Sequence, residues 1–340
     1  MTELSSVGIL GTGSKVPDNV VTNFDLEKRL DTSDEWIRTR TGIRARRIAS
    51  ENEATSDLAI AAARIALDDA RTDPVDLDLI IVCTLTPDYF MPATAVLVQE
   101  ALGAGSCAAF DLNAACSGFC YALDVASHMI AGGAYRKALV IGAEVMSRTV
   151  DWEDRSTCVL FGDAAGAVVL GPVARGGVLG SVLGADGRGA SLLYIPAGGF
   201  KEPITTDAMA AKRNCMSMNG REVYRFAVQV MADASASALK LCGLTSADVS
   251  LFVPHQANIR IIESAAKRLG LPFEKIFVNL DKYGNTSAAS IPLALDEAVR
   301  EGRINEGDIV VTVGFGAGLT WGANVIEWNA RGCKNGVPGE

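Results

Sequence analysis

The sequence predicts an α/β protein with largely parallel sheets. Two observations carry this: short unbroken apolar runs alternate with helical patterns, and the order of those elements repeats in the two halves of the chain. Its 340 residues suffice for two domains or one large α/β unit. Abundant Gly and Ala suit close helix-on-sheet packing.

The apolar runs at 79–83, 138–141, 159–161, 168–170, 251–253 and 309–313 read as buried strands, because strands covered on both faces lose the polar alternation of a half-exposed sheet. Between them, Leu58, Ala61, Ala62, Ile65, Ala66 and Asp69 follow helical spacing, with Ser56 as the N-cap. Val223, Phe226, Ala227, Val230, Met231 and Ala234 do the same.

In the first half a helix leads to the strand at 76–82, a helix at 95–103, Phe110-Asp111-Leu112, a turn at Cys116, a helix and the strand at Leu139. In the second half the same order runs through 247–253, a helix at 259–270, Phe277-Val278-Asn279-Leu280, a turn at Gly284-Asn285, a helix and the strand at Ile309. This implies a duplicated unit, residues 1–175 and 176–330, with a frayed tail over 331–340. Cys116 and Asn285 then occupy matching points, and a pseudo-twofold axis brings both to one site.

The net charge of −9 argues against sequence-blind nucleic-acid binding and against an anionic membrane surface. An acidic partner would therefore need a local basic patch. Eight cysteines contain no C-x-x-C pair, and only two His are present, so no metal site is expected. Cysteines within apolar runs suit a reducing compartment. No signal-peptide pattern opens the chain, and no apolar run approaches the roughly 20 residues that span a bilayer. The expectation is a cytoplasmic protein without membrane attachment.

Three segments carry candidate chemistry. In Asn113-Ala114-Ala115-Cys116-Ser117-Gly118 a thiol precedes a helix, where the helix dipole favours thiolate and small neighbours leave room for a substrate. A nucleophile and a buried structural cysteine are both open here. His255, in Val253-Pro254-His255-Gln256-Ala257-Asn258, lies at the C-terminal end of a parallel strand, where α/β sheets bind ligands. His128 sits inside a helical pattern and reads as structural. Asn285 offers an amide donor after Gly284, although on its own the segment reads first as an ordinary turn and helix cap. The loops Phe161-Gly162-Asp163 and Gly314-Phe315-Gly316-Ala317-Gly318 present backbone N–H groups of the kind that form an oxyanion hole. Gly8-Ile9-Leu10-Gly11-Thr12-Gly13 lacks the helix and acidic partner of a dinucleotide loop.

Taken together and in order, Asp31-Thr32-Ser33-Asp34-Glu35-Trp36-Ile37, Thr39-Arg40-Thr41-Gly42-Ile43-Arg44, Ala115-Cys116-Ser117-Gly118, Phe161-Gly162-Asp163, Val253 to Asn258, Gly284-Asn285-Thr286-Ser287 and Phe315-Gly316-Ala317-Gly318 resemble the β-ketoacyl-[acyl-carrier-protein] synthase III family of the thiolase-like superfamily. The resemblance covers nearly the whole chain. It implies a thiolase-like five-layered αβαβα fold from two duplicated halves, and a homodimer. It also implies decarboxylative condensation of an acyl-CoA primer with malonyl-[acyl-carrier-protein], initiating fatty-acid synthesis without a cofactor, acyl-CoA being a substrate.

By the same resemblance Cys116 carries the acyl group, and the N–H groups of Cys116 and of Gly316-Ala317-Gly318 hold the oxyanion. His255 and Asn285 bind the malonyl thioester carbonyl. Trp36 and Arg155 flank the CoA adenine beside Arg40 and Thr41, and Tyr224 and Asn258 line the pantetheine tunnel. Arg225, Gln256, Arg260, Lys267 and Arg268 meet the acidic carrier protein. Met91 borders the partner subunit's acyl pocket, where its flexibility implies primers larger than acetyl. A polyketide-priming relative or a non-decarboxylating acyltransferase of the same fold is the alternative. A degenerate, non-catalytic subunit fits poorly, since Cys116, His255 and Asn285 are all present.

Overall fold

A computed structural model describes residues 6–329 of the chain. The expected tail over 331–340 lies outside the described residues.

Two sheets form the frame. The first has five strands: β1 (Val7–Lys15), β4 (Leu79–Cys83), β5 (Ala108–Leu112), β6 (Ala138–Glu144) and β7 (Ala164–Pro172), in the order β1-β7-β6-β4-β5. The second has four: β8 (Gly177–Ala185), β11 (Leu251–Pro254), β12 (Ile309–Gly316) and β13 (Thr320–Glu327), in the order β11-β12-β13-β8. Two ribbons pair β2 (Val20–Thr22) with β3 (Ala45–Arg47) and β9 (Leu193–Tyr194) with β10 (Ser217–Met218).

Both sheets are mixed rather than largely parallel. β4 runs parallel to β5 and β6, and β11 to β12. β1–β7, β6–β7, β12–β13 and β13–β8 are antiparallel. The reason is local: β12 turns back into β13 through residues 317–319, and so short a link admits only an antiparallel pair.

The helices sort into layers around these sheets. α3 (Thr55–Asp69) and α4 (Thr94–Leu102) cover the outer face of the first sheet. α5 (Gly118–Ala131) and α10 (Ser290–Arg300) fill the space between the sheets. α7 (Gly220–Leu241) and α8 (Ile259–Leu269) cover the second. This is the five-layered αβαβα arrangement. Short helices α1 (Asn23–Glu27), α2 (Asp34–Thr41), α6 (Thr206–Ala210) and α9 (Leu280–Tyr283) lie in the connections. The central layer packs backbone against backbone: a Cβ on Gly142 of β6 would lie 2.2 Å from the Ala288 carbonyl oxygen.

Three expectations need correction. Residues 159–161 form turns, not a strand, with one isolated bridge from Phe161 to Asn285. Asp154 takes the Cys158 N–H on its carbonyl and the Ser156 N–H (2.9 Å) on its carboxylate, which coils the backbone there. The segment Phe277–Leu280, matched in order to Phe110-Asp111-Leu112, does not form a strand like β5; only Ile276 bridges to Phe252 of β11, because the Gln256 side-chain oxygen accepts the Asn279 and Leu280 N–H groups next in line. Ser56 lies inside α3, where its hydroxyl donates to Asp88, and Ala54 stands at the cap with its N–H held by Asp57.

Candidate active site

The turn that carries Cys116 is built by its neighbours. Asn113 Oδ1 accepts the Ala115 N–H at 3.2 Å, Ala115 adopts φ +47°, and a 3₁₀ turn over Ala115–Ser117 runs straight into α5. The second half repeats the device. Asn285 Oδ1 accepts the Ser287 N–H at 2.9 Å, Ser287 adopts φ +49°, and the turn Ser287–Ala289 runs into α10. The structural counterpart of Asn285 is therefore Asn113, and that of Cys116 is Ala288. Cys116 and Asn285 lie in corresponding turns but not at the same point within them.

Cys116 is buried, and burial pushes its thiol up to about 12, with the hydrogen bond to Ser287 pulling down and the Glu144 carboxylate pushing up. Desolvation outweighs the helix-start effect that the sequence suggests. The thiol donates to Ser287 Oγ at 3.3 Å.

His255 follows directly on β11, and its backbone N–H donates to Val313 O at 2.7 Å. Burial lowers its imidazole to about 3, so the ring is neutral at physiological pH. Nδ1 lies 2.6 Å from Ser290 Oγ at the start of α10, and the Phe315 ring meets the imidazole edge-on with centroids 5.4 Å apart. Asn285 is fixed by its main chain, which donates to Leu160 O and accepts from Gly162.

Cys116, His255, Asn285, Phe315, Gly316 and Ala317 line one cavity of about 390 Å³. Its outer walls are apolar and include Leu193, Met216, Met218 and Val223. A second cleft opens at the surface between Trp36, Arg40, Thr41 and Arg260, and it shares Leu160, Gly220, Tyr224 and Asn258 with the cavity. The two form a path from solvent to the thiol. At its mouth the guanidinium groups of Arg40 and Arg155 lie 5.0 Å and 5.4 Å from the centre of the Trp36 ring.

Among the described residues no group of three or more His, Cys, Asp or Glu is placed to hold a metal ion. No helix among them is long and apolar enough to cross a membrane.

Models of the 3-oxoacyl-[acyl-carrier-protein] synthase III family match residues 110–187 and, as its C-terminal part, 239–328. β-Ketoacyl-[acyl-carrier-protein] synthase III of Caldanaerobacter subterraneus is 56% identical, over 97% of this chain and 100% of that one. The chain belongs to the 3-oxoacyl-[acyl-carrier-protein] synthase III family. It is an acyl-transferring condensing enzyme with the thiolase-like fold. The crystal structure of the synthase III from Aquifex aeolicus superposes with a TM-score of 0.88 at 49% identity, covering 95% of this chain and 100% of that one. The priming β-ketosynthase of the R1128 polyketide pathway gives a TM-score of 0.89 at 38% identity, over 97% and 98% of the two chains.

Several site expectations change with the geometry. Gln256 is only 1% exposed, and its carboxamide donates to Pro254 O and Phe277 O while accepting from Asn279 and Leu280. It cannot meet a carrier protein; its work is to fix the loop behind His255. Thr41 borders the cleft, yet its hydroxyl closes the end of α2 by donating to Ile37 O and accepting from Ile43 N–H. Gly316 and Ala317 reach the cavity, whereas Gly318, at φ +137°, turns the chain into β13 without lining it. The Phe161-Gly162-Asp163 segment is scaffold: Gly162 N–H donates to Asn285 O, and Asp163 holds the Ser147 hydroxyl and the Ala49 N–H.

The Asn258 side chain caps α8 through the Arg260 N–H and donates to Arg40 O, tying the tunnel wall to the Trp36 helix. Arg225, Arg260, Lys267 and Arg268 are exposed, with Arg225 paired to Glu222 and Arg268 to Asp233. Met91 is 86% exposed and does not line this chain's own cavity.

Sequence reasoning missed Glu144 and the partner hydroxyls Ser287 and Ser290. The signal for Glu144 was a lone carboxylate ending the apolar run Leu139-Val140-Ile141-Gly142-Ala143.

Proposed function

We propose that the protein loads an acyl group from an acyl-CoA primer onto Cys116 and condenses it with malonyl-[acyl-carrier-protein], releasing CO2. The observation that carries this reading is the single cavity holding Cys116, His255 and Asn285 at the end of a path whose mouth is the Trp36–Arg40–Arg155 stack.

In this reading Trp36 and Arg155 flank the adenine beside Arg40 and Thr41, and Tyr224 and Asn258 border the pantetheine arm. The N–H groups of Cys116 and Ala317 receive the oxyanion. With the Ser290 hydroxyl donating to Nδ1, His255 keeps its proton on Nε2. That N–H and the Asn285 amide donate to the malonyl thioester carbonyl and stabilise the enolate left by decarboxylation. The neutral imidazole still carries the one N–H that this role requires. The reaction as written needs no cofactor, because CO2 loss supplies the driving force.

Arg225, Arg260, Lys267 and Arg268 form the dock for the acidic carrier protein. The unpaired edge of β5, flanked by exposed Tyr89, Phe90 and Met91, favours a homodimer in which Met91 reaches the partner's acyl pocket. Free cysteines suit the cytoplasm. The two halves meet between Pro172, where β7 ends, and Gly177, where β8 begins.

Intact mass after primer alone, followed by CO2 release with malonyl-carrier protein, tests the reading. An acyl adduct mapping to Cys116 with a β-ketoacyl-carrier product supports it. An adduct without condensation would replace it with a non-decarboxylating acyltransferase.

A further inference from the structure

Outside the residues just assigned, one buried group stands out. Glu144 ends β6 with no exposed surface, and its carboxylate accepts from Thr84 Oγ1 (3.1 Å), Leu85 N (3.2 Å), Thr86 N (3.2 Å), Thr86 Oγ1 (2.6 Å) and Ser287 Oγ (2.9 Å). Every neighbour but one is a fixture of the 84–86 loop. The exception leads to the thiol: Cys116 Sγ donates to Ser287 Oγ at 3.3 Å, and Ser287 Oγ donates onward to Glu144 Oε1 at 2.9 Å. The hydrogen bonds run in one direction, from thiol to carboxylate.

A buried anion beside a buried thiol opposes thiolate formation, unless the anion itself receives the proton. Among the described residues the titratable groups facing Glu144 are the Cys83 thiol from β4 and the Cys116 thiol, both raised chiefly by burial and further by its charge, and no cation contributes to its own shift. Burial raises Glu144 to about 7, which matches a group that takes up and gives back a proton near neutrality.

We propose that Ser287 and Glu144 form a relay that takes the Cys116 proton during acyl loading and returns it after condensation. The inference rests on Cys116 being the nucleophile. In loading, the S–H bond breaks and its electron pair forms the bond from sulfur to the acyl carbon. The proton passes to Ser287 Oγ as the serine's own proton passes to Glu144 Oε1. The bond from acyl carbon to CoA sulfur breaks, and the CoA thiolate takes a proton from solvent. In condensation, the electron pair left by departing CO2 forms the carbon–carbon bond, and the bond from acyl carbon to Cys116 breaks. The proton stored on Glu144 then returns through Ser287 to the thiolate. One solvent proton is consumed per turnover, as decarboxylation of a carboxylate requires. Ser287 touches the reacting sulfur; Glu144 acts through it as a positioning and proton-holding residue.

The test is single-turnover acylation by a short acyl-CoA, followed by intact mass from about pH 6 to about pH 9.5. The proteins are wild type, Glu144→Gln, Ser287→Ala, the double variant and Cys116→Ala. Wild type should show a rise in rate centred near the Glu144 value of about 7. Both single variants should lose that rise and acylate roughly 100-fold more slowly at neutral pH, recovering as the pH climbs toward ionisation of the thiol itself. The double variant should be no slower than either single one, because the two residues act as a unit. A Glu144→Gln protein that keeps the rise and acylates within about twofold of wild type, or a double variant whose losses multiply, would overturn the relay. Ser287→Ala decides the matter alone if Glu144→Gln does not fold, since it leaves the 84–86 loop contacts in place. An adduct on Cys116→Ala would instead overturn the nucleophile assignment, a separate outcome.

Discussion

Gly316 stands so close to Cys116 that a Cβ added to it would lie 2.7 Å from the Cys116 amide nitrogen and 3.2 Å from the Cys116 Cβ. The end of β12 and the Cys116 turn are thus packed backbone against backbone, and in the function proposed above this contact sets where the oxyanion sits relative to sulfur.

Gly316→Ala should therefore push β12 off the turn. The expected cost is about 1–3 kcal/mol of stability, together with a loss of acyl loading of roughly tenfold or more, since small displacements of reacting groups are costly. Thermal unfolding and the rate of the Cys116 mass shift measure the two effects. Loading at the wild-type rate would mean that the turn relaxes without consequence.

Gln256 and Arg260 separate structure from docking. Gln256→Ala leaves four backbone groups without their buried partner and should destabilise the fold by about 3 kcal/mol in urea unfolding. Arg260→Glu and Lys267→Glu should leave stability within about 0.5 kcal/mol and instead raise KM for malonyl-carrier protein, most strongly at low salt. A Gln256→Ala protein of normal stability with a raised carrier KM would restore the docking role that its burial excludes.

These contrasts show what the sequence could carry. Leu79–Cys83 and the helix of Val223 and Met231 were legible because apolar periodicity reports burial directly. The meeting of Cys116, His255 and Asn285 in one cavity was legible because they sit in short motifs at strand and helix ends. The role of Gln256 was not, since its neighbours Pro254, Phe277, Asn279 and Leu280 assemble only in the folded chain. Nor was Glu144, whose partner Ser287 is 143 positions away. The raised thiol of Cys116 was misjudged for a related reason: the helix start is local, whereas desolvation comes from the whole surrounding core.

His255 should leave a signature in the pH dependence of stability. Its folded value of about 3 lies below the ordinary histidine value of 6.5, so the unfolded chain binds the proton first as the pH falls. Stability from this group is complete above about pH 6.5 and is lost as the pH drops toward 3, with a slope approaching about 1.4 kcal/mol per pH unit. Glu144 has the opposite sign: its raised value of about 7 makes stability complete below the ordinary 4.5 and erodes it as the pH rises through 7. Between about pH 4.5 and about pH 6.5 the two slopes oppose each other, so urea midpoints measured from about pH 4 to about pH 9 should, relative to wild type, fall with rising pH in His255→Gln and climb with rising pH in Glu144→Gln. Parallel profiles in all three would contradict both burial effects.

Met91 gives the prediction on primer choice. Its side chain is exposed in the segment before α4, and in the homodimer proposed above it would reach the partner's cavity. An unbranched, flexible side chain should admit primers bulkier than acetyl, and Met91→Phe should narrow that range by filling the same space with a rigid ring. The expected result is a fall of roughly tenfold in kcat/KM for butyryl- and isobutyryl-CoA, with acetyl-CoA changed by less than about twofold, because a few methylenes in an apolar pocket are worth about 1–3 kcal/mol. Sedimentation must show a dimer for the argument to hold, since Met91 does not line its own chain's cavity. A dimer whose wild type turns over acetyl-CoA as well as or better than the longer primers would remove Met91 from substrate selection.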